Sequence, residues 1–221
     1  MLSREDIVRR LAEPGIVAIV RSKQPVPILP IAEALLAGGV VALEVTLTTP
    51  GALEALGQAR SSLGERALVG VGSVVNVAAA QAALAAGAQF LVSPICRPEL
   101  VGLAHGAGVP VMLGAYTPTE AQTAHEAGAD FVKLFPADAL GPAHVKALRA
   151  PLPHLRIVPT GGVDLNTLAG FVKAGCPAVG VGSSLVSATI LRDANWPELT
   201  RQARLYVEAI RAAKAGTDTA R

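Results

Sequence analysis

The sequence predicts one closed barrel of eight parallel β-strands alternating with α-helices, the α/β architecture of a (β/α)8 TIM barrel. Eight short apolar runs bounded by glycine or proline recur along the chain at nearly regular intervals, each the length of one strand–loop–helix–loop unit. Alanine-rich segments of helical character lie between these runs. The chain has 221 residues, of which 51% are hydrophobic and 16% charged, so that a large core can be formed.

The strands are predicted from apolar runs of four to six residues. They are Ile16–Val20, Val40–Val45, Ala67–Val71, Gln89–Ser93, Val109–Leu113, Asp130–Phe135, Arg156–Pro159 and Ala178–Val181. A doubly wound open sheet is the alternative architecture, but it usually has fewer strands and one dominant nucleotide-binding loop. No linker or low-complexity segment divides the runs, so one domain over residues 1–221 is expected.

Helix signals lie between the strands and at both ends of the chain. Ser3 and Asp6 have the spacing of a capping box and predict a helix within residues 1–14. A final helix is expected from Trp196 to about Ala213, followed by a frayed tail over residues 215–221. Glycine follows four of the internal helical segments and would end each of them in a left-handed residue. These segments are Ala32–Ala37, Ala78–Ala86, Thr119–Ala127 and Leu165–Ala174.

Charge and composition exclude several classes of partner. With 19 basic and 17 acidic residues the net charge is +2, which does not favour nucleic acid or a membrane surface. The uncharged stretch Ala67–Cys96 is interrupted by glycine, asparagine, glutamine and proline, so we expect a buried strand–helix–strand rather than a membrane span. The charged N-terminus does not resemble a signal peptide. Two cysteines and four scattered histidines predict no disulfide, no metal site and a reduced cytoplasmic location.

Lys133 is the most informative residue of the chain. It lies inside the apolar strand-like run Asp130–Pro136, where an ammonium group is costly to remove from water. Loss of water favours the neutral amine, which is a nucleophile that can form a Schiff base with a carbonyl substrate. The alternative from this run alone is a lysine on the polar face of a half-exposed strand.

Glu44 is the predicted partner of Lys133. Alternation along the second strand places Glu44 on the same face as Ala42 and Thr46, which points into the barrel if Leu43 faces the helices. Two opposite charges that are both removed from water are expected to face each other, and the carboxylate then serves as a base beside a nucleophile. A buried structural ion pair is the alternative.

The ends of the seventh and eighth strands predict an anion-binding cradle. Thr160, Gly161 and Gly162 follow one strand, and Gly182 and Ser183 follow the next. Their backbone N–H groups suit a phosphate, which this fold often binds after strands 7 and 8. Ordinary tight turns are the alternative. Neither segment has the spacing of a dinucleotide-binding fingerprint or of a Walker loop.

Arg21 ends the first strand and is a candidate for a substrate carboxylate, since a guanidinium matches two oxygens. A surface arginine beside Lys23 is the alternative. Cys96 and Tyr116 are near the expected rim, where packing is their more common role.

Five segments together resemble a known family, the 2-dehydro-3-deoxy-6-phosphogluconate (KDPG) and 4-hydroxy-2-oxoglutarate (KHG) aldolases. The similarity covers nearly the whole chain in order, and it is the combination of segments that is specific. The segments are Leu43–Thr48, Gly70–Val74, Phe90–Pro94, Phe131–Ala137 and Pro159–Val163. The resemblance implies a class I pyruvate aldolase with a trimeric (β/α)8 fold and no cofactor or metal.

The resemblance also implies a role for individual residues. Lys133 matches the Schiff-base lysine and Glu44 the general acid/base. The phosphate-binding loops correspond to the glycine-rich segments after strands 7 and 8, whose residues are Thr160, Gly161, Gly162, Gly182 and Ser183. Thr46, Pro94 and Phe135 are expected to complete the substrate site.

This chain departs from the family pattern at two positions. Many members carry an arginine where this chain has Thr48, and that arginine holds the pyruvate carboxylate. Many also carry threonine where this chain has Ser73. Other relatives have an arginine at the position of Arg21, so the resemblance assigns the carboxylate to Arg21 and Ser73.

The resulting hypothesis is reversible cleavage of a 2-keto-3-deoxy-6-phospho sugar acid to pyruvate and glyceraldehyde 3-phosphate, with 4-hydroxy-2-oxoglutarate as a further substrate. Its partners would be a small 2-keto acid, a phosphorylated aldehyde and two further copies of the chain. Two alternatives remain from the sequence. A phosphosugar isomerase or epimerase on the same barrel would exchange protons without cleaving carbon bonds, and a non-catalytic protein would bind a phosphorylated metabolite without turnover.

Overall fold

A computed structural model describes residues 2–218 and contains the predicted (β/α)8 barrel. Eight parallel strands follow one another around the sheet, with the eighth strand beside the first. A bridge between Thr160 and Gly180 joins the seventh strand to the eighth and closes the ring. A closed ring of parallel strands brings all the strand ends to two opposite faces, so that residues distant in sequence meet at one rim.

All eight predicted strands form, with ends shifted by a few residues. They are β1 (Ile16–Val20), β2 (Ala42–Thr46), β3 (Leu68–Gly72), β4 (Leu91–Val92), β5 (Val111–Ala115), β6 (Phe131–Leu134), β7 (Ile157–Pro159) and β8 (Val179–Val181). Several strands start later than predicted because apolar residues also form the turns that lead into them, and periodicity alone does not separate the two.

Ten helices cover the barrel within residues 2–218. They are α1 (Arg4–Ala12), α2 (Ile28–Ala37), α3 (Ala52–Leu63), α4 (Val77–Ala85), α5 (Glu99–Gly106), α6 (Pro118–Glu126), α7 (Gly141–Arg149), α8 (Leu168–Lys173), α9 (Ala188–Arg192) and α10 (Trp196–Asp218). The glycines predicted to end helices do adopt left-handed backbone, as at Gly87 (φ +90°) and Gly128 (φ +93°).

Three predicted helices, at the two ends of the chain and at α8, can be compared with the structure. The capping box between Ser3 and Asp6 is confirmed at the start of α1. The last helix is longer than predicted, since α10 continues to Asp218 rather than ending near Ala213. Residues 219–221 of the predicted tail lie outside the described residues. Helix α8 begins only at Leu168, because the Asp164 carboxylate and the Thr167 hydroxyl form a hydrogen-bonded turn ahead of it.

The strands alternate between two packed layers. Val17, Ala42, Phe131 and Val158 belong to one buried cluster, while their strand neighbours, such as Leu43 and Val132, pack in a second cluster with the helices. The first cluster is the barrel interior. Ala42 and Phe131 are each two residues before a candidate catalytic residue, so the predicted inward direction of Glu44 and Lys133 is confirmed.

Helix α1 covers the opposite end of the barrel. Ile7 and Leu11 are buried and pack into the interior cluster, beneath the first layer of strand side chains. The lower end of the interior is therefore filled by α1 together with the strand side chains. Among residues 2–218, no helix combines the length and apolar character needed to cross a membrane.

Candidate functional site

A cavity of about 290 Å³ lies at the carboxyl ends of β1, β6, β7 and β8. This is the face on which barrels of this class carry their sites. Eight of the predicted site residues line it together: Arg21, Lys133, Phe135, Thr160, Gly161, Gly162, Gly182 and Ser183. Residues between positions 21 and 183 thus line one cavity, because the carboxyl ends of all the parallel strands lie at the same rim.

Lys133, which lines this cavity, forms a buried charged pair with Glu44. Their relative exposures are 4% and 3%, and Lys133 Nζ lies 3.8 Å from Glu44 Oε1. That separation allows strong electrostatic attraction but is too long for a hydrogen bond. No group among residues 2–218 donates a hydrogen bond to Glu44 Oε1, so this oxygen can accept a proton from a ligand. Lys133 Nζ also lies 5.1 Å from the centre of the Phe135 ring.

Glycines on the neighbouring strands make room for this pair. A β-carbon at Gly72 would lie 1.8 Å from Glu44 Oε1, so no other residue fits there without moving the carboxylate. A β-carbon at Gly180 would lie 2.3 Å from Thr160 Oγ1. The two glycines therefore leave the space that the Glu44 and Thr160 side chains occupy.

The two predicted anion-binding loops lie side by side across the cavity. Gly161 and Gly162 have φ values of +92° and +69°, a backbone that glycine adopts without strain. No protein acceptor within residues 2–218 takes a hydrogen bond from the backbone N–H groups of Gly162, Ser183 or Ser184. Free N–H groups from two adjacent loops suit a phosphate with three acceptor oxygens.

Arg21 reaches the cavity from the loop after β1. Its side chain is exposed and lines the cavity, and it has no ion-pair partner in the part of the chain that the structure describes. An unpaired guanidinium beside a buried lysine makes this end of the cavity suitable for a carboxylate.

Four predicted site residues, Glu44 and three others, do not line the cavity. Thr46 is fully buried, and its hydroxyl contacts only protein groups. Pro94 follows β4, and its carbonyl carbon would lie 2.1 Å from a β-carbon at Gly114. Ser73 follows β3 with φ +63°, a strained conformation for a residue other than glycine. All three lie at the same rim as the cavity.

Five further residues line the cavity: Ile19, Val163, Ser184, Val186 and Ala188. Ser184 belongs to the glycine-rich segment after β8 that the sequence predicts to bind an anion, and the other four were not predicted. The four apolar residues cannot be distinguished from core residues by their residue type or their sequence pattern.

The cysteines do not join the site. Both are free, and burial raises the pKa of the Cys176 thiol to about 12. Among residues 2–218 no cluster of three histidine, cysteine, aspartate or glutamate residues could hold a metal ion.

Comparison with known proteins connects this geometry to one family. The family model described as KDPG and KHG aldolase matches residues 7–202. The chain is 37% identical to a 2-dehydro-3-deoxy-phosphogluconate aldolase of Treponema pallidum, over 88% of this chain and 92% of that protein. It is 35% identical to a 2-dehydro-3-deoxy-6-phosphogalactonate aldolase of Escherichia coli, over 90% of this chain and 95% of that protein.

A solved structure adds chemical detail. The KDPG aldolase of Legionella pneumophila, captured with pyruvate as a covalent carbinolamine intermediate at low pH, superposes with a TM-score of 0.77. The two sequences are 31% identical, and the match covers 86% of this chain and 92% of the other. A carbinolamine is the adduct that an amine forms with a ketone before water is lost.

Proposed function

The chain belongs to the KDPG and KHG aldolase family, and from this premise we propose how its residues perform class I aldol cleavage. The substrate is a 2-keto-3-deoxy-6-phospho sugar acid, and the products are pyruvate and glyceraldehyde 3-phosphate. Cleavage of 4-hydroxy-2-oxoglutarate to pyruvate and glyoxylate uses the same steps. The observation that carries the assignment is the buried Lys133–Glu44 pair, whose lysine lines the cavity together with the anion-binding loops.

In the proposed first step, the neutral amine of Lys133 attacks the C2 ketone and gives a carbinolamine. Loss of water then gives an iminium, which draws the electron pair of the breaking C3–C4 bond. Glu44 takes the proton of the C4 hydroxyl as that bond breaks, and the aldehyde is released. The enamine left on Lys133 accepts a proton at C3, and water hydrolyses the resulting iminium to pyruvate.

The two ends of the substrate are assigned to different groups around the cavity. We assign the carboxylate to Arg21, whose guanidinium has no ion-pair partner among the described residues and lines the cavity. Ser73 and Pro94, which follow β3 and β4 at the same rim, are proposed to contact the same 2-keto acid. We assign the phosphate to the loops of Thr160–Gly162 and Gly182–Ser183, and Phe135 lines the space between. Thr46 contributes through the backbone of β1 rather than through direct contact.

Reduction with borohydride in the presence of pyruvate tests the Schiff base. Borohydride converts an iminium into a stable secondary amine, so peptide mass spectrometry should find one pyruvate-derived adduct on Lys133. Lys146, an exposed lysine of α7, serves as the internal control and should remain unmodified. An adduct elsewhere, or none on Lys133, would remove Lys133 from the nucleophile role.

We further infer that the protein is a homotrimer and acts in the cytoplasm. Exposed apolar side chains follow three adjacent strands, β3, β4 and β5, at the same rim: Val75, Val77, Ile95 and Tyr116. Contiguous exposed apolar surface favours a protein interface. The two free cysteines are consistent with a reducing compartment.

Light scattering during size-exclusion chromatography tests the oligomeric state. The expected mass is about three times the chain mass of 22.5 kDa. Ile95→Asp should lower it, whereas Leu205→Asp, at an exposed apolar residue on α10, should not. A wild-type mass of one chain would contradict the trimer.

A further inference from the structure

A chain of threonine hydroxyls connects the end of β2 to the backbone on both sides of Arg21. Thr49 Oγ1 accepts a hydrogen bond from the Ser22 N–H at 3.1 Å, and it lies 3.2 Å from Thr46 Oγ1. Thr46 Oγ1 lies 3.3 Å from the carbonyl oxygen of Val20. Val20 and Ser22 are the two chain neighbours of Arg21, so the hydroxyls connect to the peptide groups that flank this residue.

The groups at the two ends of this series of hydroxyls, the Val20 carbonyl and the Ser22 N–H, determine which hydroxyl donates in each hydrogen bond. A carbonyl can only accept, so Thr46 must donate its one O–H to Val20. Thr46 Oγ1 therefore accepts from Thr49, and Thr49 Oγ1 uses its remaining capacity to accept from the Ser22 N–H. The Thr48 hydroxyl, 3.0 Å from Thr46 Oγ1, must also donate to it. Each group thus has one role, and no alternative arrangement satisfies all of them.

Burial makes this arrangement stiff. Thr46 is 0% exposed and Thr49 is 2% exposed, so water cannot easily replace a lost partner. The backbone after Val20 forms neither strand nor helix until Ile28, and most residues of this segment are exposed. Val20 is also held by its pairing with Val45 in the sheet, whereas Ser22, on the other side of Arg21, is tied to β2 by the Thr49 hydroxyl.

We propose that Thr49 is a positioning residue that sets the backbone at Arg21 and thereby directs the guanidinium to the carboxylate of the 2-keto acid. This inference rests on the proposed function, since it takes Arg21 as the carboxylate-binding group. Thr49 itself does not line the cavity. Its role is transmitted by Thr46 on one side and by the Ser22 N–H on the other.

Thr49→Val tests the proposal, because valine keeps the shape and removes the hydroxyl. The KM for pyruvate in the condensation direction should rise about 5- to 20-fold, while kcat falls less than about threefold, since Lys133 and Glu44 are untouched. Thr49→Ser keeps the hydroxyl and should return KM to within about twofold of wild type. If valine disturbs folding, Thr49→Ala, which removes the hydroxyl without added bulk, should show the same rise in KM in a folded protein.

Thr200→Val is the matched control. The Thr200 hydroxyl also joins two elements, donating to the Ala34 carbonyl at 2.9 Å, but it lies on α10 beside α2. Thermal unfolding measured alongside should show destabilisation in both valine variants, while the rise in pyruvate KM should be confined to Thr49→Val. A similar KM increase in Thr200→Val would show that general destabilisation, rather than Arg21 placement, causes the effect.

A double-mutant cycle with Arg21→Ala distinguishes failure of the positioning role of Thr49 from failure of the carboxylate assignment to Arg21. If Thr49 acts through Arg21, Thr49→Val should change KM by less than about twofold once Arg21 is alanine. An equal rise in both backgrounds would overturn the inference. If Arg21→Ala raises KM and Thr49→Val does not, the positioning role fails and the carboxylate assignment stands. If Arg21→Ala leaves KM unchanged, the carboxylate assignment itself fails.

Discussion

At the scale of single residues, the proposed mechanism depends on how Glu44 is held beside Lys133. Each charge is costly to bury alone, and the pair offsets part of that cost for both. Because their separation of 3.8 Å exceeds a hydrogen bond, the carboxylate is not consumed by the lysine and retains a free acceptor oxygen. The same arrangement therefore stabilises the pair and leaves Glu44 able to receive a substrate proton.

Glu44→Gln should abolish most of the activity while preserving the fold. The amide cannot accept the C4 hydroxyl proton, so kcat for cleavage should fall about 100- to 10,000-fold. Borohydride should still attach pyruvate to Lys133, because the nucleophile is retained. Steady-state kinetics and peptide mass spectrometry measure the two effects. A kcat within tenfold of wild type would exclude Glu44 as the general base.

The direction of these two side chains was predictable, and the space around them was not. Strand alternation alone placed Glu44 and Lys133 inside the barrel. The role of Gly72 in leaving room for the carboxylate depends on a contact between strands, which the sequence does not encode locally. The left-handed Ser73 was also unpredictable, since local preference disfavours that backbone and only the surrounding structure imposes it.

At the scale of elements, the start of α6 depends on a capping box that the sequence prediction missed. The Thr117 hydroxyl accepts from the Glu120 N–H, and the Glu120 carboxylate accepts from the N–H groups of Tyr116 and Thr117. These hydrogen bonds favour the ionised form and hold the pKa of Glu120 below its ordinary value of 4.5. The helix is thus tied to the loop that leaves β5, at the same rim as the cavity.

Because folding lowers the pKa of Glu120, the stability that its carboxylate gives to the folded state depends on pH. A carboxylate whose pKa is lowered by folding stabilises the folded state above its unfolded pKa, and this contribution is lost as the pH falls through the folded pKa. Glu120→Gln should therefore be less stable than wild type at pH 7, and the difference should shrink below about pH 4.5. Midpoints of urea unfolding, measured for both proteins from pH 7 to below pH 4.5, give this difference in stability. Glu54→Gln, in the first turn of α3 but outside any capping box, should show a smaller difference.

Secondary structure was predicted where local signals agree with the fold. All eight strands were found because each joins an apolar run to a glycine or proline boundary. The short helix α9 and the start of α8 were not, because their residues follow functional loops whose turns are fixed by contacts such as Asp164 with Thr167. The predicted ends of helices and strands were wrong where tertiary contacts, rather than the periodicity of apolar residues, determine the backbone conformation.

At the scale of the whole molecule, the barrel separates stability from chemistry. The interior cluster and helix α1 fill the lower end, and the proposed catalytic pair and the cavity occupy the upper end. Phe131 and Lys133 are two residues apart on β6, so one strand serves both regions. Changes at the lower end should therefore affect unfolding far more than substrate binding.

Leu11→Ala tests this separation directly. Leu11 is 0% exposed and packs from α1 into the interior cluster, so its truncation should leave a cavity and lower the free energy of unfolding by about 2–5 kcal/mol. The KM for pyruvate should stay within about twofold, because no cavity-lining residue loses a contact. Leu205→Ala, at an exposed leucine on α10, should change stability by less than about 1 kcal/mol. A large KM increase in folded Leu11→Ala would mean that packing against α1 also sets the position of Lys133, and the two ends of the barrel would then have to be treated as one coupled unit.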